Sequence, residues 1–176
     1  MNKMNKIFIL LTSICLISFS CETAESSPQV IGFSVANGAE STDIFAGPDD
    51  IANIWAEYID AHNNRDFESI KSLNADNFSA FGPVGDVVEG TEAHIAFLTE
   101  WFETNNPRWN ILWAISNSGQ TPEGESLDFV TAGHEVKLNV DGNEITVYQV
   151  IDANISDGKI VNFNVFQQER GQASSE

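Results

Sequence analysis

Basic residues are scarce in this 176-residue sequence: eight lysines and arginines stand against 26 aspartates and glutamates, a formal net charge of −18. A surface of that sign repels phosphate backbones and anionic lipid headgroups, so nucleic acid is not expected as a partner. Cysteine is scarcer still, with only Cys15 and Cys21, both near the N-terminus. A disulfide framework and a cysteine metal site are thereby excluded from the rest of the chain. Stability must come from a hydrophobic core, for which 42% apolar residues, with 12 phenylalanines and four tryptophans, are sufficient. The three histidines, His62, His94 and His134, are isolated in sequence, with neither His-x-His nor His-Glu-x-x-His spacing. No metal site is expected from them. Walker loop, dinucleotide fingerprint and serine nucleophile elbow are also missing, and no cofactor is expected.

What is present begins with an export signal. Lys3 and Lys6 precede a mostly apolar run from Ile7 to Phe19, and Ser18 and Ser20 place small residues third and first before Cys21. This is the layout of a removable signal peptide over residues 1–20, too short to span a membrane as a mature helix. It resembles the lipobox of bacterial lipoproteins, which implies lipidation of Cys21 and anchoring to a membrane, on the periplasmic side or at the cell surface. Ser18 stands where that motif usually has leucine, and ordinary cleavage with secretion is the alternative. Loss of the two leader lysines leaves six basic residues against 26 acidic ones, a net charge of −20. Residues 21–47 read as the lipidated cysteine and a flexible acidic tether, within which Val30 to Val35 has the composition of a short strand. Residues 48–168 read as one folded domain and 169–176 as a disordered tail.

Within the domain, Pro48-Asp49-Asp50 supplies helix-start chemistry, and Ile51, Ile54, Trp55, Tyr58, Ile59 and His62 recur at helical spacing. Asp66 can cap a short second helix through Phe67, Ile70 and Leu73. An irregular stretch with Gly82-Pro83 and Gly85 follows. Thr91 can then cap a third helix carrying Ile95, Leu98 and Phe102, which Asn105-Asn106-Pro107 ends. From Trp109 the period changes to two. Trp109, Ile111, Trp113 and Ile115 alternate as a strand, and Gly119 to Gly124 read as a loop. Val130, Ala132, His134, Val136, Leu138 and Val140 share one face of the next strand. A two-residue turn at Asp141-Gly142 pairs Leu138 with Ile145, Val136 with Val147 and His134 with Gln149. At Asp157-Gly158 a three-residue turn is expected, pairing Ala153 with Val161, Ile151 with Phe163 and Gln149 with Val165, because it keeps one face apolar. Three helices before a long antiparallel sheet make an α+β pattern.

The run from Trp55 to Leu73, then Gly82-Pro83-Val84-Gly85, Gly90-Thr91-Glu92-Ala93-His94-Ile95 and Asp157-Gly158-Lys159-Ile160 resembles the nuclear transport factor 2 (NTF2)-like superfamily, in particular its SnoaL-like members. The resemblance spans residues 48 to 168. It implies an α+β cone with three N-terminal helices packed on a strongly curved antiparallel sheet, a ligand cavity inside, and a homodimer through the outer sheet face. It also implies where catalytic groups would stand. Tyr58 occupies the position of the isomerases' tyrosine, but Gly82 and Ile151 stand at their two aspartates. Phe163 and Val165 stand at the histidine and aspartate of cyclase-like members. The known acid–base sets are therefore incomplete.

Three readings follow. In the first, a non-catalytic cavity binds a small, largely apolar molecule, lined by Trp55, Tyr58, Trp101, Trp113, His134, Gln149, Phe163 and Gln167. In the second, His134 is the general base of an isomerase, cyclase or dehydratase and Tyr58 the polarising donor. In the third, the domain is a dimeric scaffold with a filled core. His62, at a helix end where a cation suits the dipole, is expected to cap. His94 and Trp101 are placed at the cavity mouth or the surface, and Asp76 in a turn.

Overall fold

In a computed structural model of the chain, residues 28–35, 40–121, 124 and 126–170 are described. The expected signal peptide, Cys21 and the tail beyond Arg170 lie outside them. The first two described elements fall where a tether is expected: β1 (Val30–Ser34) and β2 (Thr42–Ala46) form a hairpin. Apolar Val30, Phe33, Ile44 and Phe45 give these segments strand character. Their backbone also pairs an edge that would otherwise stay open, with Phe45 opposite Ser118 and Ala46 opposite Asn117. The chain then crosses that strand at Gly47, where a Cβ would come within 2.7 Å of the Asn117 nitrogen.

Helix α1 (Asp49–Asn64) carries Asp49 and Asp50 in its first turn, complementing the dipole, and buries Ile51, Trp55, Tyr58, Ile59 and His62 along one face. It ends at Arg65 in left-handed conformation. Helix α2 (Phe67–Leu73) is capped by Asp66, whose carboxylate accepts from the Ser69 amide at 3.1 Å. Helix α3 (Thr91–Asn105) begins at Thr91, but its cap residue is Gly90, with no side-chain capping bond. The positive φ of 84° at Gly90 suits glycine, so the turn geometry replaces the cap expected of Thr91.

The stretch between α2 and α3 is not irregular. It forms β3 (Asn74–Phe81) and β4 (Val87–Glu89), and Asp76 lies in the strand, exposed, instead of in a turn. Burial of Phe78 and Ala80 against exposed Phe81 supplies an alternation that polar Asn74, Asp76 and Asn77 mask in the sequence. With β5 (Arg108–Gln120), β6 (Ser126–Val140), β7 (Asn143–Ser156) and β8 (Lys159–Gln168), these make one sheet in the order β1-β2-β5-β6-β7-β8-β3-β4. The sheet is mixed, since β3 runs parallel to β8 and Ala80 lies opposite Phe163. Helix α2 leads straight into β3, so no hairpin turn fixes that strand antiparallel to its neighbour. β5 extends through Gly119 to Gln120, beyond the expected start of the loop.

Two bulges decide which side chains reach the interior. In β5 the register shifts between Ile111 and Trp113. Trp109 and Ile111 face the helices, whereas Trp113 and Ile115 turn outward and are 44% and 54% exposed. Gly133 opposite makes room: a Cβ there would lie 2.3 Å from the Trp113 ring. The β6–β7 pairs are as expected, including His134 with Gln149. At the last hairpin Ser156 pairs with Lys159 across a two-residue turn, Asp157 and Gly158 both having positive φ. A bulge after Ile160 then restores the apolar face, pairing Ala153 with Phe163, Ile151 with Val165 and Gln149 with Gln167. The faces match expectation, and the register lies two residues away. The core runs from Ile51, Trp55, Tyr58 and Ile59 across Leu98 and Phe102 to Val130, Ala132, Ile151, Ala153 and Ile160 on the sheet.

Candidate functional site

The period-two alternation of β6 and β7 sends His134 and Gln149 to the helix side of the sheet, where Trp55 arrives from α1. The Trp55 indole N–H donates to His134 Nε2 at 3.0 Å. An indole nitrogen can only donate, so that Nε2 is unprotonated and the neutral ring carries its proton on Nδ1. Nδ1 is buried and faces the Gln149 carbonyl without a hydrogen bond of normal geometry. Burial lowers the His134 pKa to about 4, against the raising effect of that carbonyl. Trp109 donates its indole N–H to Gln149 Oε1 at 3.2 Å, and the Gln149 amide donates to Gln167 Oε1 at 2.9 Å.

A second polar cluster lies deeper. Tyr58 Oη donates to Asn74 Oδ1 at 2.7 Å, and His94 Nδ1 lies 3.5 Å from Tyr58 Oη and 3.4 Å from Asn74 Nδ2. His62 Nδ1 donates to the Tyr58 carbonyl one turn back at 2.7 Å. Burial lowers His94 to about 3, with the neighbouring His62 adding to the effect, and lowers His62 to about 4. Burial also raises the Tyr58 pKa well above the usual value, so its hydroxyl stays a donor. His62 is therefore a neutral core residue and not a cationic cap. His94 is likewise inside, stacked on Phe78 at 4.8 Å, while Trp101 stacks on Phe97 at 5.8 Å and meets Trp109 edge-on. Phe163 fills the space between these groups, with ring centroids 5.9 Å from Trp55, 6.3 Å from Tyr58, 5.8 Å from Phe78 and 6.1 Å from His94. Sequence reasoning did not find Asn74. It follows the last residue of a helix, a place where asparagine is common for reasons of turn chemistry alone.

Space for a ligand lies on the other side of the sheet. A groove of about 990 Å³ runs between the β1–β2 hairpin and the outer face of β5, β6 and β7, bordered by Phe33, Ile44, Trp113, Ile115, Phe129 and Asp152. A smaller cleft of about 330 Å³ is bordered by Trp113, His134, Gln149, Phe166 and Gln167, beside Arg170, whose guanidinium lies 3.7 Å over the Tyr148 ring. Of the residues expected to line one cavity, Trp113, His134, Gln149 and Gln167 thus border the cleft. Trp55, Tyr58 and Phe163 pack into the interior. Trp101, partly buried, packs against the same core beside Phe102 and Trp109. Among the described residues no set of three or more His, Cys, Asp or Glu could hold a metal ion.

The chemistry open to the interior is limited. The one histidine on the sheet's inner face has its free lone pair engaged by an indole, and the tyrosine hydroxyl is spent on an asparagine.

Known proteins of this architecture include a Kribbella flavida protein assigned as a ketosteroid isomerase, 14% identical, with a TM-score of 0.55 over 74% of this chain and 87% of that one. The LEH-like epoxide hydrolase of M. tuberculosis is 12% identical, with a TM-score of 0.54 over 67% and 82%. A Jannaschia sp. protein assigned as a SnoaL-like polyketide cyclase is 18% identical, with a TM-score of 0.53 over 66% and 83%. At these identities the likeness establishes the NTF2-like fold, three helices on a large curved mixed sheet. No curated protein matches the sequence. The SnoaL-like domain family matches residues 51–155, more than half of the chain, and the chain belongs to that family.

Proposed function

We propose that this chain is an exported SnoaL-like protein that binds a small, largely apolar molecule and does not transform it. The observation that carries the reading is the Trp55–His134 hydrogen bond, which occupies the lone pair a general base would need. The enzyme reading requires that bond to break and the His134 pKa to rise far above about 4. Binding is assigned to the groove outside the sheet, whose volume suits a small ligand and whose walls are mostly apolar. Native mass spectrometry of the purified protein tests this. A retained small molecule that is lost in Ile115→Arg and is unchanged after prolonged incubation supports the reading. Its conversion to product would overturn it.

A second reading is favoured by the exposure of Trp113, Ile115, Val150 and Phe166 on one sheet face, with Phe166 63% exposed. An apolar stripe of this kind suits a homodimer interface. Sedimentation velocity with Phe166→Glu distinguishes the two, because a dimer would dissociate while a ligand site centred on Ile115 would persist.

Export rests on the leader and Cys21. With β1 starting at Val30, the eight residues from Glu22 to Gln29 reach at most about 28 Å, so a lipid on Cys21 would hold the domain close to the membrane. Membrane fractionation of Cys21→Ser tests this. Release of the protein is expected, and unchanged association would refute lipid anchoring.

A further inference from the structure

The outer groove is lined asymmetrically in charge. Its walls include Phe33, Ile44, Trp113, Ile115, Leu127 and Phe129, and among the described residues its charged groups are Glu40 and Asp152, both acidic. Among the described residues no lysine or arginine borders it. Asp152 sits on the sheet opposite Thr131, whose hydroxyl donates to Oδ1 at 2.6 Å and so fixes the carboxylate in place. It is half-buried, and among the described residues it has no ion-pair partner. A carboxylate in an apolar groove loses part of its hydration and gains most from a cation that brings apolar surface with it.

We propose that the groove takes a small organic cation, an aromatic or aliphatic amine or quaternary ammonium, with its charged group at Asp152 and its apolar body against Trp113, Ile115 and Phe129. Glu40 adds a second negative charge at the groove. The ring faces of Trp113 and Phe129 attract a cation as well as bury a hydrocarbon. The overall charge of −18 raises the local concentration of cations and disfavours anions of the same shape. This assignment rests on the groove being the binding site, and its test separates the two claims.

Calorimetric titration of the purified protein compares three probes of one shape: 1-naphthylmethylamine, protonated at pH 7, 1-naphthalenemethanol and 1-naphthylacetate. The amine should bind at least about tenfold more tightly than the alcohol, since a charge-assisted contact replaces a neutral one. The carboxylate should bind more weakly than either. Asp152→Asn keeps the acceptor for Thr131, and it should reduce amine affinity to that of the alcohol while leaving the alcohol unchanged. Equal binding of amine and alcohol, with Asp152→Asn indifferent, would overturn the cation assignment and leave the groove as the binding site. Binding of no probe, or binding unaffected by Ile115→Arg, would overturn the groove itself. If Asp152→Asn does not fold, salt dependence in the parent decides. Affinity falling with salt for the amine alone supports the assignment, and an amine affinity indifferent to salt refutes it.

Discussion

Acid should destabilise this protein through His62, His94 and His134. All three are buried, and their folded-state pKa values are lowered from the usual 6.5 to about 4, 3 and 4. In the unfolded chain each imidazole takes up a proton below pH 6.5, whereas in the folded chain it stays neutral until about pH 4 or lower. Protonation therefore favours the unfolded state: the penalty is absent above pH 6.5 and grows as pH falls towards the folded values. Each histidine costs about 1.4 kcal/mol per pH unit in that window, or roughly 2 kcal/mol at pH 5. Three together approach 6 kcal/mol, comparable with the whole stability of an ordinary domain, about 5–15 kcal/mol. Acid also relieves repulsion among the many carboxylates, so a variant is needed to isolate the histidines. His94→Phe preserves the stack on Phe78 and leaves the Tyr58–Asn74 bond intact. Urea unfolding followed by tryptophan fluorescence at pH 7.5 and pH 5 should show a stability loss about 2 kcal/mol smaller in the variant than in the parent. Equal losses in the two proteins would refute the linkage.

Other perturbations address the packing. Trp55→Phe removes the donor to His134 Nε2 and leaves a buried acceptor unpaired, so urea unfolding should register a loss of about 1–3 kcal/mol. Phe163→Ala empties the space between Trp55, Tyr58, Phe78 and His94 and should cost about 3–5 kcal/mol, with uptake of xenon or benzene reporting the new cavity. Gly47→Ala places a Cβ 2.7 Å from the Asn117 nitrogen and should loosen the β1–β2 hairpin from β5, seen as faster proteolysis before residue 48 with the domain core intact.

The helices and the β6–β7 hairpin were legible because long amphipathic periods and an Asp-Gly turn carry strong local signals. Ile51, Trp55, Tyr58 and Ile59 announce α1, and Asp141-Gly142 fixes the register that brings His134 beside Gln149. The bulges were not legible. One extra residue at Leu112 turns Trp113 and Ile115 from the core to the outer face, and the room for that change comes from Gly133 on another strand. The hairpin of β1 and β2 was hidden for a similar reason, since its pairing depends on an edge of β5 some 70 residues away. For the site, sequence reasoning placed Tyr58, His134 and Gln149 on the inner side but could not see that Asn74, Trp55 and Trp109 engage the Tyr58 hydroxyl, His134 Nε2 and Gln149 Oε1. Partner identity is a tertiary fact. The charge imbalance, by contrast, was fully visible and is what gives the outer groove its sign.

The four tryptophan indole N–H groups offer the most direct test of where a ligand sits. Trp55 donates to His134 in the interior, Trp109 to Gln149, and Trp101 packs on Phe97, whereas Trp113 borders the outer groove. In a heteronuclear NMR titration with 1-naphthalenemethanol, the Trp113 indole signal should move with saturation while that of Trp55 stays in place. Movement of Trp55 with Trp113 unchanged would contradict the account and return the ligand to the inside of the cone.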